Sequence, residues 1–215
     1  MTDLTTTRPL TFLEELREQR WDDHRFYHQS RINQSLHLLS ALSFLTAYVM
    51  IFVDPVWAVM LGWLVSMVSR QSGHFFFEPK TYDHVNRVTH EHKEAIKVGY
   101  NLRRKVWLHV VWAVAPLAVW ILPEALGFAP AASFAEYVHD VSVAWLWIAA
   151  GAIVLRVLWL CATRSVQTGL AWGTKIITDP IHDVMLYWRS PLALLRGELL
   201  DPMHHALDPM HRASR

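Results

Sequence analysis

Four apolar stretches interrupt an otherwise polar chain: Leu38 to Val53, Val56 to Val68, Val106 to Leu122 and Val141 to Ala162. Only the last reaches the roughly 20 residues that carry a helix across a bilayer, so the first two must borrow flanking polar residues to cross. Asp54-Pro55 separates those two and reads as a tight turn, because proline interrupts a helix and aspartate caps the next one. The pattern predicts an all-α, polytopic integral membrane protein with about four transmembrane helices and amphipathic helices on the cytoplasmic side. Its expected organisation is an N-terminal cytoplasmic helix (1–31), a transmembrane hairpin (32–78), a cytoplasmic loop (79–105), a second transmembrane pair (106–162) and a cytoplasmic C-terminal segment (163–215).

Composition strengthens this reading. Of 215 residues, 53% are hydrophobic and only 18% charged, with 11 tryptophans, which is too apolar and too tryptophan-rich for an ordinary soluble domain. The first 25 residues are polar and charged with no apolar core, so no cleaved signal peptide is expected. Cys161 is the single cysteine, which excludes an internal disulfide or a Cys-based zinc site. A net charge of +1 gives no reason to expect nucleic acid as a partner.

Orientation follows from the basic residues. The segment between the second and third stretches carries Arg70, Lys80, Arg87, Lys93, Lys97, Arg103, Arg104 and Lys105, whereas residues 123–140 contain no Lys or Arg. The positive-inside rule then places both termini and the 70–105 segment in the cytoplasm, of a bacterial inner membrane or an endoplasmic reticulum.

Depth can be counted from the Asp54-Pro55 turn. At about 1.5 Å per residue, His37 before it and His74 after it differ in depth by only about 3 Å. Asn33 and Glu78 each lie one turn further toward the cytoplasm on the same helix face as their histidine, and His28 and His24 continue the incoming helix. The hairpin thus gathers His28, Asn33, His37, His74 and Glu78 at the inner membrane boundary. Imidazole and carboxylate without thiolate suit iron, manganese or zinc.

Further groups surround this cluster. In "THEHKE" His90 and Glu94 share a helix face while His92 points away, and the loop lies over the mouth of the hairpin, where His90 is a further candidate ligand. "DPIH" at 179 recurs as "DPMH" at 201 and 208; Asp-Pro is a standard helix start, and His182 of the first copy is a candidate ligand that precedes the amphipathic "VMLYWRSPLALL". Arg70 and Arg156 both count to about 23 Å from the outer side, and a guanidinium fork suits a substrate carboxylate.

The order His28-x4-Asn33-x3-His37, a short apolar hairpin, then Gln71-x-Gly73-His74-x3-Glu78 resembles the membrane-bound 2-hydroxy fatty acid dioxygenase family, over about residues 24–80. The resemblance implies a small polytopic enzyme that uses Fe(2+) and O2 to shorten a 2-hydroxy fatty acid by one carbon. It further implies that His28, His37 and His74 hold the metal, with Asn33 and Glu78 in the catalytic centre. Two alternatives stand beside it. His24-x3-His28 and "DPMHH" look like boxes of the diiron fatty acid hydroxylases, although Asp201 replaces the first histidine of the second box. A non-catalytic metal-binding membrane scaffold would carry the same histidines.

Overall fold

The structure, a computed structural model, describes residues 9–26, 28–96 and 102–203. In chain order it contains α1 (Phe12–His24), α2 (Arg31–Met50) and a helical run from α3 (Pro55–Val59) through a π-helical stretch (Met60–Met67) and α4 (Val68–Ser72) to a second π-helical stretch (Gly73–Phe77). There follow α5 (His90–Ile96), α6 (Leu102–Ile121), a 3-10 turn (Glu124–Leu126), α7 (Phe134–Thr163), α8 (Val166–Tyr187) and α9 (Ser190–Leu195). Among the described residues the only β pairing is two isolated bridges, Ser30 with Leu200 and Asp83 with Val88.

The helices begin where side-chain acceptors meet the first free amides. Thr11 and Glu14 form a capping box on α1, Ser30 caps α2, Ser133 caps α7 and Ser165 caps α8. Asp54 accepts from the Val56 and Trp57 amides and Pro55 takes the first turn of α3, as the Asp-Pro reading predicts. The Asp179-Pro180 pair does otherwise: it lies inside α8. The third copy, at 208, lies outside the described residues.

The hairpin closes through small residues. Ser40 and Ser66 share a hydrogen bond of 2.7 Å, Gly62 faces Phe44, and a Cβ added to Gly73 would fall on the Asn33 side-chain oxygen. Such a stripe lets two backbones approach closely. The polar residues that lengthen the first apolar stretch, Asn33, Gln34 and His37, are at most 1% exposed, as is Ser40 within it, so α2 turns its polar side inward.

Proline shapes the second pair. Pro116 has no amide proton, which leaves the carbonyl of Trp112 without its helical partner. The indole of Trp145 on α7 donates to that carbonyl at 2.9 Å, and Tyr137 donates to the carbonyl of Pro116 at 3.0 Å. Trp112 also stacks on Trp63 at 4.2 Å, tying this pair to the hairpin. Among the described residues α7 alone is long and apolar enough to cross a membrane, and Val110–Ile121 is a shorter apolar helix.

Helix α8 is built inside out. Lys175, Asp179, Asp183 and Tyr187, at four-residue steps, are buried, whereas Leu170, Ile177, Ile181 and Met185 are exposed. Lys175 pairs with Asp179 along the helix (2.8 Å), and the buried face meets α1 through Lys175 with Asp23 and through Arg20 with Asp179 (3.2 Å) and Thr178. Gly169 and Gly173 meet α7, where added Cβ atoms would strike Cys161 and Val157.

Candidate metal centre

His28, His37 and His74 come from three different elements. His37 lies in the second turn of α2 and His74 in the π-helical stretch after α4, a local widening that recurs at functional sites. His28 lies in the linker before α2 with φ +73°, a left-handed conformation that is rare for a non-glycine residue.

Their Nε2 atoms converge. His28 Nε2 is 3.1 Å from His37 Nε2, which is 3.0 Å from His74 Nε2, and one ligand atom from each residue lies within 4.8 Å of the others. The Nε2 of His37 carries at most one proton, so it cannot satisfy both neighbours by donation. A shared cation satisfies all three lone pairs. Donor nitrogens about 2.1 Å from a metal lie about 3.0 Å apart at a right angle and about 3.4 Å apart at a tetrahedral angle. The two spacings about His37 Nε2, 3.1 Å to His28 and 3.0 Å to His74, are those of neighbouring ligands on one ion. These three residues are close enough to bind a metal ion. Burial first, then His37, His74, His24 and Arg70, holds the pKa of His28 well below the ordinary imidazole range, which keeps it in the neutral form that ligates metal.

A charged layer backs the cluster. His24 Nδ1 lies 2.7 Å from the carbonyl of Arg20 and Nε2 lies 3.0 Å from Asp183 Oδ1. Both nitrogens therefore donate, and the ring is an imidazolium. Burial opposes this, but the Asp183 carboxylate outweighs it and the His24 pKa is raised. Asp183 is 2% exposed and also accepts from Arg70 Nη2 at 2.8 Å. Burial pushes its carboxyl up, yet His24, His37 and Arg70 hold it well below the usual range.

Two groups face Nδ1 of His37. Arg70 Nε, at 3.3 Å, donates to it when it is unprotonated. Asp183 Oδ2 is 3.8 Å away, beyond a hydrogen bond in this arrangement. A carboxylate behind a ligating imidazole is the usual support of such ligands.

Glu78 and Asn33 form a clamp beside the ligands. Glu78 accepts from the amides of Gln29 and Ser30, both at 3.2 Å, and from Asn33 Nδ2 at 2.6 Å. The carboxylate is thus occupied in holding the linker that carries His28.

The remaining candidates lie outside the three-histidine group. The ring of His182 stands edge-on to His24 at 5.4 Å, one layer out, and its pKa falls to about 4 through burial, then His24 and Arg20. His90 begins α5. Arg70 lies directly against the cluster, whereas Arg156 on α7 has its guanidinium 6.0 Å over Trp172. Asp201 pairs with Arg31 at 2.9 Å and Gln34 at 2.7 Å.

Sequence reasoning missed Asp183. Its signal was the four-residue spacing of Lys175, Asp179 and Asp183 within an apolar helix, a stripe that has to be buried to be useful. Comparison with protein-family models, with curated proteins and with solved structures finds no match to this chain.

Proposed function

We propose that the protein is an iron(II)-dependent membrane oxygenase that acts on a fatty acyl acid, with His28, His37 and His74 as the metal ligands. The observation that carries this reading is the convergence of three Nε2 atoms at 3.0 and 3.1 Å. Three neutral imidazoles leave open positions, and a bound iron supplies the activation of O2 beside a chelating 2-hydroxy carboxylate, the chemistry of one-carbon oxidative shortening.

The chain's own charges favour an acidic substrate. Around the cluster the imidazolium of His24 and the guanidinium of Arg70 are balanced by the carboxylates of Asp183 and Glu78. A divalent cation on three neutral ligands adds two positive charges with no protein counterion, so its remaining coordination positions favour an anion. Arg70 contacts both His37 and Asp183 and, with its side chain 28% exposed, is the guanidinium beside the ligands that the reading assigns to a substrate carboxylate.

The membrane part of the proposal rests on the outward-facing side chains. Trp107, Leu117, Trp120 and Ile121 of α6 and Trp147, Leu155, Leu158 and Trp159 of α7 are all more than half exposed. Water is a poor solvent for such a surface and hydrocarbon a good one. With the hairpin counted beside them, the reading is four spans with both termini cytoplasmic and the acyl chain entering from the bilayer.

The test is metal analysis of detergent-purified protein beside a His37→Ala, His74→Ala double variant, with oxygen uptake measured on a 2-hydroxy fatty acid. Stoichiometric iron in the wild type, its loss in the variant and lipid-dependent oxygen consumption are expected. Stoichiometric metal without oxygen uptake points to the scaffold reading, and equal metal in both proteins removes the site.

A further inference from the structure

A ligating imidazole places one ring nitrogen on the metal and leaves the other as an N–H donor, which needs an acceptor. For His37 the nearest carboxylate is Asp183, whose Oδ2 lies 3.8 Å from Nδ1. His28 is different: its Nδ1 is buried and has no hydrogen-bond partner among the described residues. The Tyr187 ring lies 5.4 Å from the ring of His28 and 6.1 Å from that of His37. Tyr187 is 1% exposed, and its hydroxyl is also buried with no partner among the described residues.

A buried phenol oxygen without a partner is costly, and phenylalanine would fill the same space without that cost. Tyr187 stands at the end of α8, one turn beyond Asp183 and on the same face. The helix that brings Asp183 to the cluster therefore also carries a phenol whose ring lies beside that of His28. The two unpartnered atoms are complementary, since one needs an acceptor and the other can be one.

We propose that Tyr187 is a positioning residue of the metal centre, its phenol oxygen accepting from His28 Nδ1–H, directly or through one bridging water, when metal occupies the three-histidine cluster. This rests on the metal reading above. The rival acceptor is Asn33 Oδ1, also buried without a partner among the described residues. That oxygen lies against the Gly73 backbone while the other end of the amide is tied to Glu78.

Cobalt(II) titration of the full chain in detergent, followed by visible absorption, is the test, with wild type and Tyr187→Phe compared. The expected result is one cobalt per wild-type chain, binding about 10- to 100-fold weaker in the variant, and an apo melting temperature that does not fall. A wild type that binds no cobalt overturns the metal reading and this inference with it. Cobalt bound equally by both proteins overturns the role of Tyr187 alone. A lowered apo melting temperature with unchanged cobalt affinity also overturns it, because the hydroxyl would then be structural. Should the variant not fold, wild type labelled with 3-fluorotyrosine answers instead: zinc must shift one tyrosine fluorine resonance, and a spectrum unmoved by stoichiometric zinc refutes the contact.

Discussion

Replacing Asp183 with asparagine tests the charged layer behind the metal ligands. The carboxylate is 2% exposed and holds the imidazolium of His24 at 3.0 Å and the guanidinium of Arg70 at 2.8 Å. Asparagine keeps the volume but offers one acceptor in place of two, and its amide hydrogens would face a cation. Removing one partner of a buried ion pair costs about 3–5 kcal/mol. Two escapes limit the loss. Arg70 is partly exposed and can turn toward solvent, for which about 1 kcal/mol or less is lost. His24 can shed its proton, since the carboxylate is what keeps it charged. The expected destabilisation is therefore near the lower end, about 3 kcal/mol, or about 6–12 °C in melting temperature for a chain of this size.

The assay is thermal unfolding of the metal-free protein in detergent, followed by near-ultraviolet circular dichroism, in wild-type and His24→Gln backgrounds. With His24 already uncharged there is no buried cation to strand, and Asp183→Asn should then cost about 1 kcal/mol, the share of Arg70. A loss below about 2 °C in the wild-type background, or an equal loss in both, refutes the assignment of His24 as a buried imidazolium.

Other expectations follow from the same geometry. Gly73→Ala should lower stability by about 1–3 kcal/mol and weaken cobalt binding, because the new methyl group meets Asn33 and pushes the stretch carrying His74 away; unchanged cobalt affinity would contradict this. The stabilisation by His24 should depend on pH. Its folded pKa is raised, so its contribution is fully present below the unfolded value of about 6.5 and lost as pH rises through the folded pKa. The melting-temperature gap between wild type and His24→Gln should accordingly be widest near pH 6 and shrink in alkali, and a constant gap would be the wrong outcome. Cysteine labelling of intact cells should reach Ala131→Cys and not Lys80→Cys, both exposed positions, and the reverse pattern would invert the proposed orientation.

The hairpin and its turn were legible in the chain because their signals are local. Asp54 and Pro55 act on the next few residues, and the spacing of Asn33 from His37 and of His74 from Glu78 is one helical turn. The inward placement of Asn33 and His37 could also be anticipated, since a short apolar stretch has to borrow polar length. Asp183 and Tyr187 were hidden for a physical reason. Their helix buries its polar stripe and exposes its apolar one, the inverse of a water-soluble helix, so periodicity alone assigns the stripe to the wrong side. His182 drew notice as the histidine of the Asp-Pro motif, yet the residue after it meets the ligands. The left-handed turn at His28 was equally invisible, because nothing in His-Gln-Ser demands it.

That turn explains what Glu78 and Asn33 accomplish. A non-glycine residue at φ +73° costs about 1–3 kcal/mol and persists only where its surroundings hold it there. The linker at His28 is held from three sides. Glu78 takes the amides of Gln29 and Ser30, Gln34 donates to the carbonyl of His28 at 2.7 Å, and the segment after α9 adds Asp201 N to the carbonyl of Gln29 at 2.8 Å and Arg31 N to that of Leu199 at 2.9 Å. Each bond net contributes about 1 kcal/mol, so together they outweigh the strain, and His28 is aimed at His37 and His74 before any metal arrives. A ligand fixed in advance loses little entropy on binding. The clamp therefore acts on metal affinity through backbone geometry, with the Glu78 carboxylate filled by the amides of Gln29 and Ser30 and by Asn33 Nδ2.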